Sequence, residues 1–142
     1  MADTMVVGTD GSDSAKRAVA EAVRVAKALD AELHIVSAYE PLRAHSKGAA
    51  EQPYPDSEVD SILDDAESEY RDTGVKTKTH ATKDDHPADA LLRVADEVGA
   101  NLIVVGNRGM HSGIRRFVLG SVPDKVSHHA QCSVLIVATD RE

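Results

Sequence analysis

The chain of 142 residues has no tryptophan, one phenylalanine and a single cysteine, Cys132. A lone cysteine excludes an internal disulfide. The amino terminus also lacks the basic segment and following apolar segment that are typical of a secretory signal. We therefore expect a cytoplasmic protein, in a compartment where thiols stay reduced.

Long apolar runs and excess positive charge are missing as well. The longest apolar runs, residues 102–105 and 134–138, have the length of strands and fall far short of the roughly 20 residues that cross a bilayer. The 16 basic residues are outnumbered by 24 acidic ones, for a net charge of -8. Such a surface repels phosphate backbones and anionic lipid, so we expect a soluble protein without nucleic-acid or membrane partners.

What the chain does contain is small aliphatic residues arranged in alternating patterns. Hydrophobic residues make up 42% of the sequence, and the length suits one domain, which we place over residues 1–142. Residues 5–7 and 33–39 read as strands, and between them apolar positions recur at helical spacing from Ala15 to Leu29, with Ser12 or Asp13 as the helix cap.

The same alternation continues to the end of the chain. A helix from Ser57 closes at Gly74, and helices at residues 87–98 and 121–129 follow. Strands are predicted at residues 75–81, 102–105 and 134–137. Residues 40–56 are rich in proline and form the one long loop, for which we hypothesise a role as a flap.

These elements predict an α/β fold of the doubly wound, Rossmann-like type, with a five-stranded parallel sheet in the order 3-2-1-4-5 and helices on both faces. Residues 75–81 carry outward-facing Lys76, Lys78 and His80, which suits an edge strand. Residues 134–137 form the opposite, apolar edge, and we expect a homodimer through this last strand. Ligands of such folds bind beyond the carboxyl ends of strands where the strand order reverses.

A glycine-rich stretch follows one of these strand ends. Gly106 and Gly109 leave the strand, and Gly120 opens the last helix, so backbone N–H groups can approach phosphate oxygens. No acidic residue lies between residues 106 and 123, whereas this segment holds four cationic or titratable side chains: Arg108, His111, Arg115 and Arg116. Glycines that merely form turns beside a solvated cationic face are the alternative explanation, which the combined pattern weakens.

Neither a P-loop nor a G-x-G-x-x-G fingerprint is present. Residues 6–29, 86–109 and 119–137 instead resemble, in order, three conserved blocks of the universal stress protein family. ATP-binding members of that family carry Gly, two residues, Gly, nine residues, then Gly and Ser or Thr. Here Gly106, Gly109, Gly120 and Ser121 match this motif, but ten residues separate Gly109 from Gly120.

The resemblance implies a site for ATP or another adenine nucleotide, with Mg²⁺ as a candidate companion of the phosphates. Asp10 would touch the adenosine end and Ala38 would offer its backbone to adenine. Ribose and phosphates would contact Gly106, Gly109, Gly120, Ser121 and Val122, and the predicted site also includes Gly8, Thr9 and Arg108.

Other candidate sites have simpler explanations. Asp10 as a phosphoacceptor would need acidic neighbours, and Asp3 and Asp13 are poorly placed for that role. His128 and His129 are adjacent on a helix and point in different directions, so we interpret them as surface residues and predict no metal site. Cys132 is interpreted as structural.

The sequence therefore predicts an ATP-binding regulatory protein of the stress response. It shows no convincing general base or water activator, so we expect no catalytic residue and at most slow ATP hydrolysis. Two alternatives remain open. One is a dimeric interaction module that binds no nucleotide, and the other is an adenylate-forming or AMP-releasing enzyme of similar fold.

Overall fold

Strands and helices alternate along the chain in the computed structural model, which describes residues 3–39, 56–83, 86–107 and 119–139. Residues 40–55 of the segment interpreted as a flap lie outside these ranges. The elements are β1 Thr4–Gly8, α1 Asp13–Leu29, β2 Glu32–Tyr39, α2 Asp56–Glu69, β3 Thr77–Lys83, α3 Pro87–Val98, β4 Leu102–Gly106, α4 Ser121–His129 and β5 Ser133–Val137.

The five strands form one sheet in the order β3-β2-β1-β4-β5, and every neighbouring pair is parallel. This arrangement confirms the predicted fold class and strand order. The chain adds β2 and β3 on one side of β1 and then returns to add β4 and β5 on the other side. The order therefore reverses between β1 and β4, and in folds of this type the ligand-binding crevice lies beyond the strand ends at such a reversal. None of the helices in the described ranges is long and apolar enough to span a membrane.

The alternation of side chains along β1 divides the core into two layers. Met5 and Val7 pack against α1 and α2, whereas Val6 packs against α3 and α4. All three side chains are fully buried. Each buried aliphatic side chain of this size contributes about 1.5–3 kcal/mol to folding. An interior of small aliphatic residues thus holds a helix layer on each face of the sheet.

Several helix ends follow the signals in the sequence. The Ser12 side chain caps α1, because its Oγ accepts a hydrogen bond from the Ala15 N–H at 3.2 Å. Helix α3 begins at Pro87 and is capped by Gly99 at φ 66°. Gly74 does not cap α2 directly. It follows a 3₁₀ turn, Arg71–Thr73, and adopts φ 83° there.

The prediction for the third strand is wrong in its bounds and in the placement of His80. The strand runs over Thr77–Lys83 rather than residues 75–81, and it lies at the sheet edge as predicted. Lys78 is exposed, but His80 is half-buried and Thr82 is buried on the same face. The cause lies in the neighbouring strand, where buried His34 sits with Nδ1 2.8 Å from His80 Nε2.

His34 and His80 belong to a chain of hydrogen bonds that fixes their protons. The ring of His34 is buried, and its Nε2 lies 2.8 Å from the Glu32 carboxylate. His34 donates from Nε2 to that carboxylate, so its Nδ1 accepts the N–H of His80 Nε2. Burial lowers the pKa of His80, and the nearby His34 and Lys78 lower it further against the opposing charge of Glu97.

We expect this network to make the free energy of unfolding fall in mild acid. Because the folded-state pKa of His80 is lowered, its stabilising contribution is complete above the ordinary histidine value of about 6.5 and is lost as the pH falls toward the folded-state value. Urea unfolding between pH 8 and pH 5 should show a smaller loss in His80→Gln than in the parent. His129→Gln, at an exposed helix end, is the control, and an equal loss in His80→Gln and the parent would contradict the expectation.

Candidate functional site

The carboxyl edge of the sheet collects the amino ends of the helices. In a parallel β/α alternation each strand ends at this edge and each following helix begins there. Aligned peptide dipoles give a helix amino end a partial charge of roughly +0.5, with N–H groups that have no intrahelical acceptor. The edge beside β1 and β4 is therefore suited to an anionic ligand.

Beyond β1, short side chains shape the turn into α1. Thr9 Oγ1 accepts the Gly11 N–H at 3.2 Å, and Asp10 Oδ1 accepts the Ser12 N–H at 2.9 Å. The Thr9 N–H in turn donates to the Val36 carbonyl at 2.9 Å and extends the pairing with β2. Asp10 is exposed while it holds this turn, so its carboxylate faces solvent at the strand end.

Two glycines allow the turn to lie close to the helices. Gly11 adopts φ 79°, and a Cβ there would lie 3.0 Å from Ile62 Cγ1 of α2. A Cβ on Gly8 would lie 3.1 Å from Leu91 Cδ1 of α3. A side chain at either position would require Ile62 or Leu91 to shift, and at Gly11 the positive φ would add strain for an L residue.

Beyond β4, one hydrogen bond joins the two ends of the glycine-rich segment. The Gly120 N–H donates to the Asn107 carbonyl at 2.9 Å, which brings the start of α4 beside the residue that follows Gly106. Gly120 is the N-cap of α4 at φ −61° and ψ 162°, and it provides no side-chain cap. This backbone suits any residue, so glycine contributes the absence of a side chain rather than a positive φ.

The first turn of α4 thus presents its own N–H groups at the edge. Ser121 is exposed, and Val122 is partly buried against the core on the α3 face. Pro123 has no N–H, and the Asp124 N–H is already bonded to the Gly120 carbonyl at 3.0 Å. In this turn the N–H groups without an intrahelical acceptor are therefore those of Ser121 and Val122.

Most of the residues predicted for the nucleotide site lie at this edge. Val7 pairs with Val104 and Gly8 with Val36, so continuing the register sets Gly106 level with Thr9 and Ala38 level with Asp10. The predicted residues found here are Gly8, Thr9, Asp10, Ala38, Gly106, Gly120, Ser121 and Val122. Arg108 and Gly109 lie outside the described residues.

Three further residues at this edge were missed by the sequence reasoning. Asn107 Oδ1 accepts both the N–H and the hydroxyl of Thr139, at 3.0 and 2.9 Å. Arg17 of α1 donates to the Thr139 carbonyl at 2.8 Å. A signal was present, because Asn107 directly follows β4 and Thr139 closely follows the neighbouring β5.

Lys125, on the second turn of α4, is held by a partner in the protein. Its Nζ lies 2.8 Å from Asp89 Oδ1 in the first turn of α3, and this hydrogen bond lowers the pKa of Asp89. The pair connects the two helices of one layer near their amino ends. The cationic residues that the sequence offers for phosphate are instead those of residues 108–116, outside the described ranges.

A cleft of about 250 Å³ lies at the opposite end of the sheet, around Gly99, Ala130 and Cys132. It sits between the carboxyl ends of α3 and α4, where the dipoles repel anions. The N–H groups of Ala100 and Ala130 are bonded to helix carbonyls at 2.9 Å. Burial raises the pKa of the Cys132 thiol, with a smaller effect from Asp96. A phosphate ligand is therefore not expected in this cleft.

Metal ligands are not gathered anywhere in the described ranges. No group of three or more His, Cys, Asp or Glu side chains there has a geometry that could hold a metal ion. His128 and His129 are exposed, and His128 Nδ1 bonds to the Asp124 carbonyl at 2.7 Å.

Comparison with known proteins identifies the family. The sequence model of the universal stress protein family matches residues 1–138. The chain belongs to this family. The universal stress protein Rv1636 of Mycobacterium tuberculosis is 43% identical to it over 142 residues, an alignment that covers 96% of each protein.

Two similar solved structures contain adenine nucleotides. A universal stress protein in complex with cAMP is 38% identical, with a TM-score of 0.74 and coverage of 97% of this chain and 98% of that one. The universal stress protein of Archaeoglobus fulgidus in complex with dAMP is 27% identical, with a TM-score of 0.71 and coverage of 96% and 98%. Their folds agree with the sheet order described above.

Proposed function

We propose that this chain is a cytoplasmic regulatory protein of the stress response that binds ATP in the crevice between the carboxyl ends of β1 and β4. The observation that carries the proposal is the start of α4. The helix opens at Gly120 without a side-chain cap, and Gly120 is bonded to Asn107 at the reversal of strand order. An uncapped helix amino end at such a crevice is a phosphate site in many α/β proteins.

The phosphates take the α4 side of the crevice. Ser121 and Val122 supply N–H donors, the Ser121 hydroxyl adds a further donor, and the helix dipole contributes about 0.3–1 kcal/mol for a nearby negative charge. The absence of side chains at Gly106 and Gly120 keeps the backbone accessible to the ligand.

The adenosine end takes the β1 and β2 side. We propose that Asp10, exposed beyond the end of β1, accepts a ribose hydroxyl, and that the backbone of Ala38, near the end of β2, contacts the adenine edge. The relatives bound to cAMP and dAMP support an adenine nucleotide as the ligand class. We favour ATP because residues 108–116 supply Arg108, Arg115 and Arg116 to a polyphosphate.

Hydrolysis is at most slow in this proposal. Asp10 is an exposed carboxylate at the site, and its Oδ1 already accepts the Ser12 N–H at 2.9 Å. A carboxylate that holds a turn in this way is a poor general base for a water molecule, which must lie within hydrogen-bond reach of the base. Binding and release of the nucleotide, rather than its turnover, then carry the signal.

Calorimetric titration and thermal unfolding with ATP, ADP, AMP and cAMP, each with and without Mg²⁺, test the proposal. ATP at a hundredfold excess over Kd should add about 2.7 kcal/mol to the free energy of unfolding. Gly120→Val should remain folded, lose about 1 kcal/mol as a poorer N-cap, and bind ATP at least about tenfold more weakly because its side chain fills the phosphate position.

His86→Val is the matched control, because it places valine at the N-cap of α3, which also has no side-chain cap bond. It should bind ATP as the parent does. A parent that binds none of the four nucleotides at millimolar concentration would favour the nucleotide-free interaction module. A Gly120→Val variant with the parent's affinity would show that the phosphates bind elsewhere.

We also propose a homodimer that pairs through β5. This edge strand, Ser133–Val137, carries no charged residue, and Ile136 is 36% exposed. The other edge strand, β3, carries Lys78 and Lys83. Charged residues protect a strand edge from pairing, and an apolar edge invites pairing with a second copy about a twofold axis.

Light scattering and sedimentation measure the proposed dimer. The parent should sediment as a dimer. Ile136→Lys should shift the equilibrium to monomer, because the new positive charges of the two copies would repel each other where the strands pair. Thr79→Lys, an exposed position on β3, is the control and should remain dimeric. A monomeric parent at high concentration, or a dimeric Ile136→Lys, would contradict the proposal.

A further inference from the structure

Asn107 makes hydrogen bonds in two directions from one position at the end of β4. Its N–H donates to the Val137 carbonyl at 2.8 Å, which extends the pairing of β4 with β5. Its side-chain Oδ1 accepts the N–H and the hydroxyl of Thr139 at 3.0 and 2.9 Å. A backbone N–H can only donate, so the atom that faces Thr139 must be the amide oxygen. Both groups of Asn107 therefore fix it to the end of β5.

The remaining backbone group of Asn107 holds α4. Its carbonyl accepts the Gly120 N–H at 2.9 Å, although residues 108–119, twelve in number, separate the two in sequence. The two ends of the glycine-rich segment thus meet at one hydrogen bond. The orientation of that carbonyl, and with it the place of Gly120, depends on how firmly Asn107 is held. We call Asn107, Thr139 and Gly120, with the bonds between them, the Asn107 clamp.

Helix α1 is connected to the same point. Arg17 Nη1 donates to the Thr139 carbonyl at 2.8 Å, a charge-assisted bond that spans 122 residues of sequence. Thr139 is 3% exposed, so water competes little for these bonds. The Asn107 clamp and Arg17 together therefore connect β4, β5, α1 and α4 at the edge where α1 and α4 begin.

We propose that Asn107 is the positioning residue of the phosphate site, which sets the amino end of α4 against the crevice through the Asn107 clamp. The proposal rests on the proposed nucleotide binding and adds a determinant of its affinity. The proposal also bears on the segment between Gly109 and Gly120, which is one residue longer than in the family motif. The hydrogen bond joins Asn107 to Gly120 directly, so we expect the extra residue between Gly109 and Gly120 to leave the relation of Gly106 to Gly120 unchanged.

Amide hydrogen exchange in the nucleotide-free protein tests the clamp without any ligand. Asn107→Ala keeps the backbone carbonyl that accepts the Gly120 N–H but removes the side chain that fixes its orientation. Exchange of the Gly120 amide should rise at least about tenfold relative to the Val6 amide of the core. Thr73→Val is the matched control, since it removes a threonine hydroxyl that bonds to Tyr70 and Val75 away from this edge. Unchanged Gly120 exchange in Asn107→Ala would overturn the proposal.

Nucleotide affinity then tests positioning. ATP binding should weaken about tenfold in Asn107→Ala and about threefold in Thr139→Val, which loses the hydroxyl but keeps the N–H bond. Thr139→Ser restores the hydroxyl and should recover the parent's affinity, and Thr73→Val should retain it. Faster Gly120 exchange with unchanged affinity would overturn the proposal. A parent that binds no nucleotide would overturn the proposed function instead, and the exchange experiment would still decide whether the clamp holds α4.

Discussion

The parallel direction of all five strands is the constraint on which this structure depends. It gathers the carboxyl ends of the strands and the amino ends of the helices on one edge, and the carboxyl ends of α3 and α4 on the other. Backbone dipoles then make the two edges electrostatically different before any side chain is considered. In a chain with a net charge of -8, the edge that holds the helix amino ends gives an anionic ligand a favourable place to bind.

The same constraint explains why a few small residues determine the shape of the carboxyl edge. Glycine at Gly8 and Gly11 lets the first turn approach α3 and α2, and an uncapped Gly120 leaves helix N–H groups at the surface. The Asn107 clamp fixes that helix to β5, the strand proposed to pair in a dimer. The proposed phosphate site and the proposed dimer edge therefore share a hydrogen-bond network through Thr139, which would connect ligand binding to assembly.

Sequence patterns predicted the elements that depend on local signals. Continuous apolar runs marked β4 and β5, while Pro87 and Gly99 marked the ends of α3, because each signal acts within a few residues. The third strand was predicted two residues too early, at residues 75–81 instead of Thr77–Lys83, because the alternation of residue types continues past residue 81 without a local signal that marks either end. The burial of His80 depends on His34, which lies 46 residues earlier, and no periodicity reveals that contact.

The candidate site likewise combines residues that local patterns predict with one residue that they do not. Glycines after a strand and before a helix are a local pattern, and the structure sets Gly106 and Gly120 at the same edge through Asn107. The role of Asn107 itself could not be predicted, because its side chain bonds to Thr139, 32 residues later, and this requires the register of β4 with β5. Gly120 also adopts an ordinary extended conformation, so its proposed role in the site follows from its lack of a side chain, which leaves the amino end of α4 accessible.

The location of the ligand is tested most directly by following backbone amide resonances during a titration with ATP. The parallel architecture predicts that the largest shifts fall on Gly8, Asp10, Gly106, Ser121 and Val122 at the carboxyl edge, while Gly99 and Cys132 at the opposite cleft stay in place. Shifts concentrated around Gly99 and Cys132, with the α4 amino end unchanged, would contradict the assignment of the crevice between β1 and β4.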